Sequence, residues 1–185
     1  MKRFLWIICL LFFLSGCAGN DDCLDRVMAL RSKLLSQGTE FDAIITADYS
    51  DKTYTFGVHC KMSVQGELSF EISAPDTIAG ITGTVSSSGG KLTFDDQALA
   101  FPTLADGQLT PVSAPWVLMN TLRSGYLTSA GLEGDNVRVA IDDSYADNAL
   151  HLDIWLDGQD LPSRGEILWK GRRILSVEVK NFHFV

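Results

Sequence analysis

From Glu40 onward the chain is written in period two, and this restricts its fold more than any other feature. Between Glu40 and Tyr49, Phe41, Ala43, Ile45, Ala47 and Tyr49 alternate with Glu40, Asp42, Thr46 and Asp48. After Ser50-Asp51-Lys52, the residues Tyr54, Phe56, Val58, Cys60 and Met62 share one face, and Thr53, Thr55, His59 and Lys61 share the other. Successive strand side chains point to opposite faces. An apolar set alternating with a polar set therefore predicts a hairpin with one buried and one wet face. The pattern returns in Leu68, Phe70 and Ile72, in Ile81, Gly83 and Val85, and in residues 136–142, 149–156, 166–169 and 173–184. In the last run, Ile174 and Phe182 oppose Leu175, Val177 and Val179, so its facing is less clean. The chain has room for about eight to eleven such strands.

Two stretches break the period. Asp22 to Ser36 places Leu24, Val27, Met28, Leu30, Leu34 and Leu35 at helical spacing, with Arg26, Arg31 and Lys33 on the polar side. Asp21 or Asp22 can cap this helix and Gly38 can end it. A second helix starts at Ser113, has Pro115 in its first turn, carries Trp116, Leu118, Met119 and Leu122 as its stripe and stops at Gly125. Both stripes need cover, and the concave side of a curled sheet supplies it. The expected fold is mostly β with two helices (α+β): an unclosed antiparallel half-barrel over residues 23–185, with the helices packed over the concave face.

The first residues speak about location. Lys2 and Arg3 precede an uncharged apolar run from Phe4 to Leu14. At about 11 residues it falls short of the roughly 20 that a spanning helix needs, and it reads as the core of a secretory signal over residues 1–16. Leu14-Ser15-Gly16-Cys17 resembles the bacterial lipobox. That resemblance implies a diacylglycerol-modified, palmitate-bearing Cys17 as the first mature residue, with residues 17–22 as anchor and tether. Attachment would come from acyl chains, at about 0.8 kcal/mol per buried methylene. The expected location is the outer face of the cell membrane. Ala18 stands where aspartate would imply inner-membrane retention, so a diderm organism would carry the protein on its outer membrane.

Charge narrows the partners. The formal net charge is −8, and loss of Lys2 and Arg3 with the leader makes the remainder two units more acidic. Phosphate backbones and anionic lipid surfaces would repel such a chain. Outside the leader, Cys23 and Cys60 can pair in an oxidising compartment, where closing a loop of about 38 residues would contribute roughly 4 kcal/mol; the alternative is two buried free thiols. Catalytic chemistry is sparse. His59, His151 and His183 lack the spacing of a metal site, and the Ser87–Gly90 stretch reads as a turn, since no Lys-Ser/Thr and helix follow it. No enzyme, metal or cofactor is expected.

Three segments carry a family resemblance: "ELSFEISAPDTIAGITGTV" with "KLTFDD" behind it, "PVSAPWVLMNTLRSG", and "WLDGQDLPSRGEILWKGRRILSVEVKNFHFV". Together with the order of elements they resemble the lipoprotein-carrier superfamily of LolA and LolB, with its Gram-positive relatives of the GerS type. The resemblance implies an unclosed barrel with helices as a lid over an apolar cavity that holds acyl chains. The lipobox departs from the soluble carriers and agrees with the anchored members. On this reading the inward residues Phe41, Ile45, Tyr54, Phe56, Val58, Leu68, Phe70, Trp116, Met119 and Trp155 would line a cavity for an acyl chain, lipid or lipoprotein. The alternative is an envelope adaptor whose core is filled by its own side chains, and which recruits a protein partner or a second copy along a sheet edge.

Overall fold

The computed structural model describes residues 18–87, 89–93 and 102–185; the leader and Cys17 lie outside them. Helix α1 (Ala18–Ser36) leads into a meander of five strands. These are β1 (Thr39–Asp48), β2 (Thr53–Met62), β3 (Leu68–Ala74), β4 (Thr82–Ser86) and β5 (Gly89–Thr93). Two short 3-10 turns and helix α2 (Ala114–Ser124) follow. A second meander then runs through β6 (Tyr126–Glu133), β7 (Asn136–Asp142), β8 (His151–Leu156), β9 (Pro162–Trp169) and β10 (Arg172–Phe184).

The strands form one 10-stranded sheet in the order β5-β4-β3-β2-β1-β10-β9-β8-β7-β6. Every pairing is antiparallel. The two meanders are joined at the centre by β1 and β10, with Ile45 opposite Val177 and Thr39 opposite Phe184. Strands β5 and β6 are the edges and do not pair with each other, so the half-barrel is open. The connection from β5 to β6 must pass from one edge to the other. It does so with α2, which packs against β1 and β7 to β10.

Alternation predicts the inward residues well. Phe41, Ala43, Ile45 and Ala47 of β1, Phe56, Val58, Cys60 and Met62 of β2, and Leu68, Phe70 and Ile72 of β3 are all buried. The mixed facing of β10 comes from two irregularities. A register shift between Arg173 and Leu175 lets Ile174 and Leu175 both be buried. Asn181 adopts a left-handed φ of 53° beside the shift between Glu40 and Asp42. A bulge of this kind turns the following residues over, and Phe182 stacks on Phe41 with ring centroids 5.7 Å apart.

Two helical expectations are corrected. Helix α1 begins at Ala18, so residues 18–22, expected as tether, are helical. It buries Cys23, Val27, Leu30 and Leu34, and leaves Leu24, Met28 and Leu35 exposed. Helix α2 starts where expected, with Ser113 as its N-cap residue and the Ser113 hydroxyl donating to the Thr110 carbonyl at 2.7 Å. The period predicts no strand at β6, because Tyr-Leu-Thr-Ser-Ala-Gly-Leu-Glu alternates poorly, and the structure places it, mostly exposed, at the sheet edge.

Candidate functional site: the mouth of the half-barrel

The concave face is largely filled. Helix α2 inserts Leu118, Met119 and Leu122, none with any exposed surface, into the side chains that the strands direct inward. Its approach to the sheet depends on Gly165 of β9: a β-carbon there would collide with Leu118. Gly125 has a similar role at the end of α2, where an added β-carbon would lie 2.6 Å from Ile141. Polar contacts hold both helices down. Trp116 Nε1 donates to the Gly66 carbonyl at 2.9 Å, and Arg123 donates to the Val64 carbonyl at 2.7 Å, tying α2 to the β2–β3 turn. Arg26 pairs with Asp160 at 2.6 Å, and Arg31 donates to the Gly125 carbonyl at 2.8 Å, tying α1 to the β8–β9 turn and to the end of α2. Burial lowers the affinity of the Arg31 and Arg123 guanidinium groups for their protons.

The residues expected to line a cavity separate into four groups. Phe41, Ile45, Phe56, Val58, Leu68, Phe70 and Met119 belong to the packed core. Tyr54 is on the inward face, opposite Ala47, but at a strand end where it is 40% exposed and meets Tyr49 edge to face. Trp155 lies on the outer face. It pairs across the ladder with Arg138 and Arg164, and both guanidinium groups stand over its ring, at 5.7 and 4.6 Å. It is buried by arginine side chains rather than by the barrel interior. Trp116 borders open space.

That space is a cleft of ≈ 440 Å³ at the mouth. Strand β4, the two 3-10 turns, the first turn of α2 and the β7–β8 loop enclose it. Val85, Leu109, Val112, Trp116, Val117 and Leu150 give it apolar walls, while Thr110, Ser113 and Asp143 supply polar atoms at its border. Asp143 accepts the Leu150 N–H at 2.9 Å, which fixes the loop that carries Leu150. Sequence reasoning missed five of these walls, since Leu109 and Val112 fall in irregular backbone and Val85, Val117 and Leu150 stand where elements end. Pro111 and Pro115 on either side of Val112 are the only signal in the sequence that this irregular segment is built to a fixed shape.

Cys23 and Cys60 are both buried free thiols and no disulfide joins them. Cys23 is near the far end of α1, about 20 Å from Ser36 at 1.5 Å per residue. Cys60 sits opposite Phe41, just past the point where that helix hands over to β1. A disulfide needs α-carbons within about 7 Å. Burial pushes the Cys60 thiol up, far above the ordinary range.

The outer face is polar. His59 Nδ1 lies 2.8 Å from Asp42 and Nε2 3.1 Å from Glu40, while Lys61 reaches Glu40 at 3.3 Å. A second hollow, of ≈ 280 Å³, opens beside this group and is walled mainly by His59, Lys61, Ser69, Glu71, Thr82 and Thr84. Further round the sheet, burial works against the Glu166 carboxylate, but Arg173 and Arg164 hold it below its ordinary range. Among the described residues no group of His, Cys, Asp and Glu could hold a metal ion, and no helix is long and apolar enough to cross a membrane.

Fold and site thus define an α+β half-barrel, open between two edge strands, with a helix over its concave face and an apolar cleft at its mouth. No protein-family model and no curated protein sequence matches the chain. Solved structures that resemble it include an uncharacterised conserved protein from Thermus thermophilus, 14% identical with a TM-score of 0.46, covering 89% of this chain and 86% of that one. A LolA superfamily protein from Nitrosomonas europaea is 8% identical with a TM-score of 0.44, covering 86% of this chain and 93% of that one. MucB, in the MucA/MucB complex of Pseudomonas aeruginosa, is 14% identical with a TM-score of 0.42, covering 88% of this chain and 57% of that one.

Proposed function

We propose that this protein is an exported, non-enzymatic lipoprotein, anchored through Cys17 to the outer face of the membrane, which takes a single acyl chain or similar apolar group into the cleft at the mouth of its half-barrel. The cleft carries the reading: ≈ 440 Å³ of space with six apolar walls is costly to leave wet and favourable to fill, at about 25 cal/mol per Å² of apolar surface covered. The site is the mouth and not the barrel interior, because α2 occupies the interior. The lipobox-like Leu14-Ser15-Gly16-Cys17 supports the anchor.

Native mass spectrometry of the protein, released from detergent and titrated with palmitate, tests the ligand. One lipid mass per chain is expected, displaced by a second fatty acid. Val117→Asp, which puts a charge on the cleft wall, should weaken binding by at least about tenfold, the equivalent of 1.4 kcal/mol. A bare protein mass throughout the titration would overturn the ligand.

A second reading has its own support. The packed core and the exposed edge strand β6 suit an adaptor that recruits a protein by strand addition, and in that case the cleft would stay empty of lipid. A proline at Ala130, in the exposed edge, should abolish capture of such a partner and leave palmitate binding unchanged.

A further inference from the structure

The exposed flank of α1 is apolar where a solvated helix would be polar. Leu24, Met28 and Leu35 are 42%, 50% and 54% exposed, and their spacing puts them on one stripe. Asp25, Ser32 and Ser36, also exposed, lie to one side of it. On its other side, Arg31 donates to the Gly125 carbonyl at 2.8 Å, which brings the start of β6 to this flank. There the exposed ring of Tyr126 meets Tyr145 at a tilt of 38°, with centroids 3.6 Å apart, an aromatic pair of the type enriched at membrane–water boundaries.

We infer that this stripe lies against the bilayer that holds the anchor, so that α1 rests flat in the headgroup layer and the domain has a fixed orientation on the membrane. The inference rests on the lipid anchor proposed above. The helix is described from Ala18, the residue that follows Cys17 in the sequence. A rigid helix that starts in the headgroups can stand up or lie down. Standing, it would lift Leu35 about 26 Å from Ala18 at 1.5 Å per residue and leave all three side chains in water. Lying flat buries the stripe. Charge selects the lipid. Asp22 and Asp25 are exposed on the same helix and outnumber its exposed Lys33, Arg26 is engaged by Asp160, and the chain is acidic overall, so the matching surface is zwitterionic and not anionic.

The test uses the full chain, expressed with its leader and reconstituted in phosphatidylcholine vesicles. Intact mass reads the anchor, as a diacylglycerol increment on a chain that starts at Cys17. Spin labels at Leu24→Cys, Met28→Cys or Leu35→Cys, compared with Asp25→Cys, Ser32→Cys or Ser36→Cys, read the stripe through relaxation by oxygen and by a water-soluble nickel chelate. Cys23 and Cys60 are buried, and wild-type protein treated with the same label serves as their control. The expected result is an oxygen preference at 24, 28 and 35, a nickel preference at 25, 32 and 36, and weakening of the former when phosphatidylglycerol replaces phosphatidylcholine. Equal nickel access at all six sites, with the anchor mass present, overturns the orientation and leaves the anchor standing. Absence of the mass overturns both. Protection of the stripe in proportion to protein concentration rather than to lipid assigns it to a second copy and also overturns the inference.

Discussion

Gly165 sets how closely α2 can approach the sheet. Its missing side chain is the seat of Leu118, and interiors are packed too densely to absorb an extra methyl group without movement. Gly165→Ala should therefore cost about 1–3 kcal/mol as overpacking, read from urea unfolding. Combined with Leu118→Ala, which empties the seat, it should cost less than the sum of the two single changes. Asn181 is a second such position. It is left-handed at φ 53° and donates to Asp42 at 2.7 Å. Asn181→Val, β-branched and unsuited to that backbone, should lose about 1–2 kcal/mol, while Asn181→Gly keeps the backbone and loses only the hydrogen bond. Asp42 also reports on pH. The hydrogen bond from His59, and then that from Asn181, holds its carboxyl below the usual range. A depressed acid contributes stability above its unfolded value near 3.9 and loses it as pH falls through the folded value. The contribution is modest because Asp42 is half exposed. Asp42→Asn should flatten the fall in melting temperature below about pH 4, and an unchanged slope would remove Asp42 from the acid response.

At the scale of elements, α2 is the part that governs access to the interior. Three hydrogen bonds from Trp116 and Arg123 reach the β2–β3 turn, and Leu118 is seated on Gly165 at the opposite side. Arg123→Ala removes the outer tie without touching the core. Amide exchange in α2 should then accelerate by about tenfold, the equivalent of 1.4 kcal/mol, with little change in β1 or β10. No change would mean that packing alone holds the helix. How far these elements were legible in the sequence follows from the forces that made them. Strands β1 to β3 and β7 have one wet face, so their alternation names the inward residues directly. Edge strand β6 has almost no dry face, and nothing in Tyr126–Glu133 marks it. For α1 the helix was legible but its orientation was not. Cys23 is as apolar as Leu24, and only the tertiary packing decides which of them is buried. Trp155 shows the same limit on the sheet, because a strand buried on both faces has no period to read, and two arginines cover this tryptophan from outside. The cleft was least legible, since its walls come from short turns and element ends that have no periodicity.

At the scale of the whole molecule, the sheet is two meanders sharing one seam. Strand β10 contributes Leu175, Val177 and Val179 to the core, and it is the only neighbour of β1 apart from β2. A chain ending at Gly171 should therefore leave β1 and β9 as raw apolar edges and show no cooperative urea transition; a sharp transition would mean that one meander folds alone. The seam also sets the order of events. The residues joined by β1 and β10 are among the most distant in sequence, Thr39 opposite Phe184, and long-range pairings of this kind form late. A polypeptide threaded outward from its amino end would expose the apolar edge of β1 until the last strand emerged. For that interval a chain exported as proposed above would be a client for whatever binds unfinished strands. Substitutions along the seam would then register first as lost yield, before any change in the finished molecule could be measured.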